Sequence, residues 1–341
     1  MTKLSNVLEN GQISDRALRR ALFTIVESNH IELLESLLKN GVEASCHRQK
    51  DGFTPLHIAA SNHLPDAART LLRYGGDPSK CDLSGRTAIW MAARMGAPQL
   101  MEILLSNPKA AAAVNKPDKS GWTPLMVACS KSHGDVSVVN LLLKNNAKVD
   151  HADKDGKCAT HIAAASGDHN VLQALIGYSP SSANLRDSKQ NTPLHYAAER
   201  GENSCCVVLL KHDPTVVNAK NSKHRTPLWL ACERGDSSCA TYLLRNKADS
   251  NVKGKKQTQP KLLWSQTRTD PKILGRFLIF YIDKHGWNSL RAAVYSQSYD
   301  TVEALLCSGV NIKSVCSAGI SGKDPTHISP YPYQKPYLDS K

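Results

Sequence analysis

The residues best able to do chemistry in this sequence are its 13 histidines and 10 cysteines. Together they prompt a search for a zinc site or a cysteine nucleophile. The sequence has no Cys-x-x-Cys pair and no His-Glu-x-x-His segment, which are the usual spacings of zinc ligands. It also has no glycine-rich phosphate loop of the P-loop or dinucleotide type. We therefore expect no catalytic, cofactor-binding or metal-binding residues, and we predict that the chain is not an enzyme.

The most regular of these side chains are histidines in a recurring seven-residue segment. Residues 54–60 read Thr-Pro-Leu-His-Ile-Ala-Ala, and His57 is the fourth of them. No nucleophile or carboxylate recurs beside this histidine, so a catalytic pairing is not expected. The same position is held by His161 and His195 in two other copies, and by Trp90 and Trp229 in two more.

The segment returns along the chain at a nearly constant step. Its copies begin at residues 54, 87, 123, 158, 192 and 226, so the steps are 33, 36, 35, 34 and 34 residues. A fixed period of this length is typical of repeat proteins, in which stacked units share one core. An apolar helical pattern upstream (residues 29–38) and residues 286–290 downstream each add a unit, which makes eight repeats.

These copies resemble the ankyrin repeat over about residues 16–312. The resemblance implies an all-α ankyrin-repeat solenoid of helix-turn-helix repeats with β-turn fingers between them. It also implies that the histidine ties its finger to the neighbouring one by hydrogen bonds. The residues agree: Pro55 suits the first helical position, Thr54 can cap the helix, and the alanine pair lets neighbouring helices approach closely.

The cysteines fit the same repeat register. Cys205 and Cys239 take one second-helix position in consecutive repeats, and Cys129 and Cys232 take a slot that other repeats fill with alanine. Because a free cysteine packs as a small buried hydrophobe, we expect core thiols in a reducing compartment. No apolar run of 18 residues is present, and the opening residues 1–11 lack an apolar region, so we expect neither a membrane span nor a secretory signal. The expected location is cytoplasmic, and a weak basic cluster at residues 253–256 leaves the nucleus open as a second compartment.

Three segments depart from the repeat pattern. Residues 1–15 are a lead-in, and residues 313–341 are a Pro-, Tyr- and Ser-rich tail that is predicted to be disordered and does not resemble a SOCS box. The step from residue 226 to residue 288 is 62, and removing an insertion of 29 residues at 254–282 restores a step of 33. This basic insertion allows three interpretations: a docking loop, a disordered loop, or a splicing or gene-model feature.

The net charge of +13 favours acidic partners. In the turn pattern Asp-x-x-Gly-x-Thr, the x positions are the variable finger residues, and most of them here are cationic or aromatic. Cations with aromatic anchors suit an acidic, partly apolar protein segment. The predicted partner-binding residues are Lys50, Phe53, Arg86, Lys119, Trp122, Lys154, Lys157, Lys189, Lys223, Arg225, Lys284 and Trp287.

The expected function is therefore that of a non-enzymatic scaffold or adaptor. The ankyrin resemblance implies that partners meet the fingers and the concave face, so we expect a protein partner with an acidic segment to bind there. The alternative partner is single-stranded nucleic acid or RNA, whose phosphates could follow the cations while its bases stack on the aromatic rings. An enzyme and a ubiquitin-ligase substrate adaptor are less favoured hypotheses, and the sequence leaves the oligomeric state open.

Overall fold

The computed structural model describes residues 15–130, 136–252, 289–296 and 298–308. The regular structure in these ranges is helical throughout, and no strand occurs among the described residues. None of the described helices is long and apolar enough to cross a membrane. Residues 1–14 of the lead-in, the 254–282 insertion and the 313–341 tail lie outside the described residues, as do Lys284 and Trp287.

The described helices form eight antiparallel pairs, which we number as repeats 1 to 8. The first helices are α1 (Asp15–Glu27), α3 (Pro55–Ser61), α5 (Ala88–Met95), α8 (Pro124–Cys129), α10 (Ala159–Ser166), α12 (Pro193–Arg200), α14 (Pro227–Arg234) and α16 (Ser289–Tyr295). The second helices are α2 (Ile31–Lys39), α4 (Pro65–Arg73), α6 (Pro98–Leu105), α9 (Val136–Lys144), α11 (His169–Tyr178), α13 (Asn203–His212), α15 (Ser237–Arg245) and α17 (Tyr299–Cys307). A short α7 (Ala111–Val114) and 3-10 turns such as Pro180–Asn184 fill the longer connections.

The start and the end of each first helix follow from its sequence. In repeat 4 the extended Thr123 precedes Pro124, and the Thr123 hydroxyl accepts the backbone N–H of Met126 at 3.3 Å. Pro124 lacks an N–H that would have no partner at this position, so it costs nothing there. In repeat 6 the helix ends at Gly201, whose φ of 75° lies in the left-handed region that glycine adopts without strain. The predicted capping by the signature threonine is confirmed.

Stacking of the pairs produces one continuous core. Each first helix packs against the first helix of the next repeat, as α12 does against α14, and the second helices do the same. Ala197 and Ala198 are fully buried at this contact, and Leu194 beneath them is also fully buried. Because no single repeat can bury its own apolar face, stability is shared along the array.

The cysteines serve this core, as predicted. Seven of the nine described cysteines are buried, and all nine are free thiols. Burial raises the pKa of the Cys205 thiol to about 12 and raises that of Cys129 further still. The sulfur atoms of Cys206 and Cys239 lie 3.5 Å apart in neighbouring second helices. Among the described residues, no group of three or more histidine, cysteine or acidic side chains could hold a metal ion.

Candidate functional site

The fingers are tight turns, each built around one acidic or amide side chain. In finger 3, Asp82 Oδ1 accepts the backbone N–H groups of Ser84 and Arg86, each at 2.8 Å. The Asp82 N–H donates to the Arg86 carbonyl, and Gly85 closes the turn at a φ of 81°. The same pattern of contacts recurs around Asp118 in finger 4, Asp153 in finger 5, Asp187 in finger 6 and Asn221 in finger 7.

Backbone hydrogen bonds or a close approach join each of fingers 2 to 7 to its neighbour. The Leu83 N–H of finger 3 donates to the Asp51 carbonyl of finger 2 at 3.0 Å, and the Lys119 N–H of finger 4 donates to the Ser84 carbonyl at 2.9 Å. Fingers 4 and 5 approach closely at Gly121, where a side chain would lie 3.2 Å from the Lys154 nitrogen. The bonds between later fingers run from Ser188 to Asp155 and from Ser222 to Lys189. The fingertips therefore form one connected edge.

In three repeats, a buried histidine of the first helix forms a hydrogen bond with the finger of the next repeat. His57 Nδ1 accepts the Thr54 N–H at 3.0 Å, so the ring proton is on Nε2, which donates to the Arg86 carbonyl at 2.8 Å. His161 and His195 make the same bonds to the Asn191 and Arg225 carbonyls, each at 3.1 Å. The structural role that the family resemblance implied for these histidines is confirmed. We call this contact the histidine link.

Burial keeps the linked histidines neutral. It lowers the pKa of all three rings, and that of His195 to about 4. The link requires the neutral ring, because Nδ1 must accept a hydrogen bond from a backbone N–H while the Nε2–H group donates one to a carbonyl. These three rings are buried inside the array.

Five of the predicted site residues are exposed lysines, one on each of five fingers. We call them the lysine row: Lys50, Lys119, Lys154, Lys189 and Lys223. Asp155 is an exposed acid on the same edge, and the Lys157 ammonium lies 3.6 Å from it. The edge therefore presents an excess of positive charge.

The two predicted arginines are positioned differently from the lysines. Arg86 Nη2 lies 2.6 Å from Asp82, and its guanidinium lies 5.8 Å from the Phe53 ring centre and 5.4 Å from that of Trp90. Arg225 is only 8% exposed, lies 3.2 Å from Glu233 and stacks 4.3 Å from the Trp229 ring centre. Both guanidinium groups are thus engaged within the array, and the exposed cations among the described predicted finger residues are lysines. In the sequence, this stacking could have been predicted from the arginine that lies four residues before a tryptophan in both repeats.

Three further predicted residues are half-buried. Phe53 stacks on His57 with ring centres 5.5 Å apart, and Trp122 packs against the core. The Lys157 ammonium lies 5.4 Å from the ring centre of Tyr196. These side chains pack between the fingers and the helices, and only part of their surface is exposed.

Two residues of this edge, Tyr196 and Leu83, were not predicted from the sequence. The Tyr196 hydroxyl donates to Asp187 at 2.6 Å. Burial alone would raise the pKa of Asp187, but hydrogen bonds from Tyr196 and Asn191 lower it below its ordinary value. Leu83 is 60% exposed on the tip of finger 3, between the lysines of fingers 2 and 4. Its position after Asp82 in the turn pattern was the available signal.

Comparison with known proteins places these repeats in a broad family. The family model described as "Ankyrin repeats (3 copies)" matches residues 7–80, 64–153, 89–186 and 160–254. Rabankyrin-5 of Mus musculus is 26% identical over 190 residues, which are 52% of this chain and 16% of the relative. Neurogenic locus notch homolog protein 1 of Xenopus tropicalis is 33% identical over 156 residues, or 45% of the chain and 6% of the relative.

Human SH3 and multiple ankyrin repeat domains protein 2 is 30% identical over 164 residues, which are 48% of the chain and 8% of that protein. Each of these relatives is thus matched over a small part of its own length. What the matches share with this chain is the repeat array.

Proposed function

Because the chain belongs to the ankyrin-repeat family, whose repeats generally act as protein–protein interaction domains, we propose that it is a non-enzymatic scaffold or adaptor. It binds a protein partner with an acidic segment through the fingers and the adjoining face of the first helices. The observation that carries this proposal is the lysine row, in which five exposed cations follow one connected edge. Lysines in such a row steer an acidic partner and pair with its carboxylates.

The experiment is affinity capture from cell extract with the full chain as bait. Reversing three lysines of the row (Lys119→Glu, Lys154→Glu and Lys189→Glu) should abolish capture of the cognate partner while leaving the helical circular dichroism unchanged. The matched control reverses three exposed cations in the last turns of second helices: Lys144→Glu, Lys211→Glu and Arg245→Glu. It changes the net charge equally and should retain the partner. Equal capture by both variants would contradict the proposal.

The proposal extends to the organisation of the chain. All eight repeats then form one array over residues 16–312, and residues 254–282 enter it as an insertion before the last repeat. The finger position of this insertion supports the idea, because loops are tolerated where they leave helix stacking intact. Capture with and without residues 254–282 separates a docking loop from a dispensable one: only a docking loop is needed for partner retention.

A cytoplasmic location, with access to the nucleus, also belongs to the proposal. It is supported by the buried free thiols, which pack as small apolar side chains in a core suited to a reducing compartment. Imaging of the tagged chain, with and without the basic residues 253–256, tests both parts.

A further inference from the structure

The lysine row has a regular spacing that the finger hydrogen bonds define. Within a finger, the two arms of the turn are joined by a backbone bond such as Asp82 N–H to the Arg86 carbonyl, at 2.9 Å. Between fingers, a second bond such as Leu83 N–H to the Asp51 carbonyl joins one arm to the next, and fingers 4 and 5 approach closely at Gly121. Chain segments paired in this way lie about 4.8 Å apart. Two such steps per repeat separate equivalent fingertip residues by about 10 Å.

This distance matches a simple property of an extended peptide. A peptide in the extended polyproline II conformation advances about 3.1 Å per residue with three residues per turn, so every third side chain points to the same side and lies about 9 Å from the last. Lys119 and Lys154 take the second position of their turns, whereas Lys189 and Lys223 take the third. The long flexible lysine stem absorbs this offset of one residue. A peptide that follows the edge would thus meet one lysine with every third side chain.

The finger before these four lysines offers a contact of another kind. Leu83 is exposed on the tip of finger 3, and its N–H is already bonded to finger 2. It occupies the same turn position as Lys119 and Lys154 in their own fingers. An apolar fingertip in line with four cations favours a partner segment with an apolar residue at one end of an acidic pattern.

The aromatic rings of this edge favour a peptide over a nucleic acid. Single-stranded nucleic acids gain much of their affinity by stacking bases on exposed aromatic faces. The guanidinium of Arg86 lies between Phe53 and Trp90, and that of Arg225 covers Trp229. These faces are already occupied within the chain.

The geometry points to a specific occupant: an extended acidic peptide with carboxylates at every third residue, which pair with Lys119, Lys154, Lys189 and Lys223. Three residues beyond the first carboxylate, an apolar side chain contacts Leu83. This inference rests on the proposed function, since it names the pattern that an acidic partner would present to the lysine row.

The test uses the full chain and fluorescently labelled 13-residue peptides, by fluorescence anisotropy at about 50 mM salt, where exposed charges are weakly screened. The spaced peptide has Leu at position 1 and Glu at positions 4, 7, 10 and 13, and a second version has the reversed sequence. The clustered peptide has the same composition with its four Glu residues contiguous. One spaced version should bind at least about fivefold more tightly than the clustered peptide.

Single variants then locate the contacts. Lys154→Ala should weaken the spaced peptide about threefold, and Lys144→Ala, at an exposed lysine away from the row, should not. Leu83→Ser should weaken the spaced peptide to a similar extent, and this loss should vanish when position 1 of the peptide is Ser. A Leu83→Ser effect that is independent of position 1 would overturn the apolar contact.

Three other outcomes overturn the inference as a whole. Equal binding of spaced and clustered peptides, or no binding of either, would show that the edge does not read a three-residue spacing. Tighter binding of a single-stranded RNA 15-mer, with a steep salt dependence, would assign the edge to nucleic acid instead. The affinity capture with the reversed lysines remains separate, because a partner lost there would uphold the proposed function even if the spacing failed.

Discussion

The junction between repeats 2 and 3 and the junction between repeats 6 and 7 are built on the same three kinds of side chain. In each, a histidine link ends on the carbonyl of an arginine, and that arginine stacks on a tryptophan of its own first helix. The three residues are His57, Arg86 and Trp90 in the first junction, and His195, Arg225 and Trp229 in the second.

The two junctions differ in the acid that holds the arginine. In finger 3 the acid is Asp82, whose side chain is fully buried 2.6 Å from Arg86. In finger 7 the corresponding residue is the neutral Asn221, and Arg225 pairs instead with Glu233 on helix α14. The stack is also closer in the second junction, at 4.3 Å against 5.4 Å. In both junctions the arginine stacks on a tryptophan, whereas its acidic partner comes from the finger in one and from the helix in the other.

The largest effect is expected from substitutions in the core of the two junctions, and they test whether the two cores are equally stable. Leu56 and Leu194 occupy the same position in repeats 2 and 6, and both are fully buried. Leu56→Ala and Leu194→Ala should each lower the free energy of unfolding by about 2–5 kcal/mol, because each leaves a cavity in a packed core. Urea denaturation followed by circular dichroism measures this loss.

Lys144→Ala is the surface control, and its effect should stay within about 0.5 kcal/mol. If one leucine substitution cost as little as the surface control, the two cores would not be equivalent. Because a repeat array need not unfold in one transition, each variant is compared with the unaltered chain over the whole denaturation curve.

The second prediction concerns pH and the histidine link. Burial lowers the pKa of His195 from 6.5 to about 4, so between these values the unfolded chain binds a proton that the folded chain does not. Stability therefore falls as pH decreases, and this residue alone should cost about 2 kcal/mol between pH 7 and pH 5. His57 acts in the same direction at the first junction.

Urea denaturation at pH 7, 6 and 5 measures this dependence. His195→Gln should be less stable at pH 7, because the link is lost, but its stability should fall less steeply towards pH 5. His57→Gln provides the same test at the other junction. A variant whose pH profile ran parallel to that of the unaltered chain would show that the ring it lacks does not titrate with folding.

The third prediction separates the two arginine stacks. Arg225→Lys keeps the charge but removes the planar group that lies over Trp229, and it should destabilise the chain by about 1–1.5 kcal/mol. Arg86→Lys should cost less, about 0.5–1 kcal/mol. The Arg86 guanidinium lies farther from its tryptophan ring, and the Arg86 side chain is 24% exposed, against 10% for Arg225. Thermal denaturation of both variants measures the difference. A greater loss at Arg86 would make the buried Asp82 pairing, and not the stack, the main support.

Most of the fold could be predicted from the sequence, because each repeat marks its own helix boundaries. Thr123 and Pro124 identify the start of a first helix, and Gly201 is found where such a helix ends. The histidine link was implied by the family resemblance and depends on one residue type at one position. Such features recur at a fixed period, so one copy supports the next.

The candidate site was predicted less fully, because a position in the turn does not determine what its side chain contacts. Arg86 and Lys119 both occupy variable finger positions, yet only Arg86 has an acid and two aromatic rings within reach. Leu83 was not predicted because cationic and aromatic residues were selected at the variable finger positions, whereas the turn also exposes this leucine. Charge and period predict where the edge is, but packing decides which of its cations are exposed.

The smallest expected effect concerns the turn residue that distinguishes the two junctions. Finger 3 has Gly85 at a φ of 81°, whereas finger 7 has His224 in the same left-handed region at 58°. This conformation costs a residue with a side chain about 1–2 kcal/mol, part of which glycine loses again through its freer unfolded state. His224→Gly should therefore stabilise the chain by about 0.5–1 kcal/mol in urea denaturation. The converse Gly85→Ala should destabilise it by at least as much, because the new methyl group would lie 3.2 Å from the Lys119 nitrogen. If His224→Gly were instead destabilising, the His224 side chain would have to contribute more to finger 7 than its backbone strain removes.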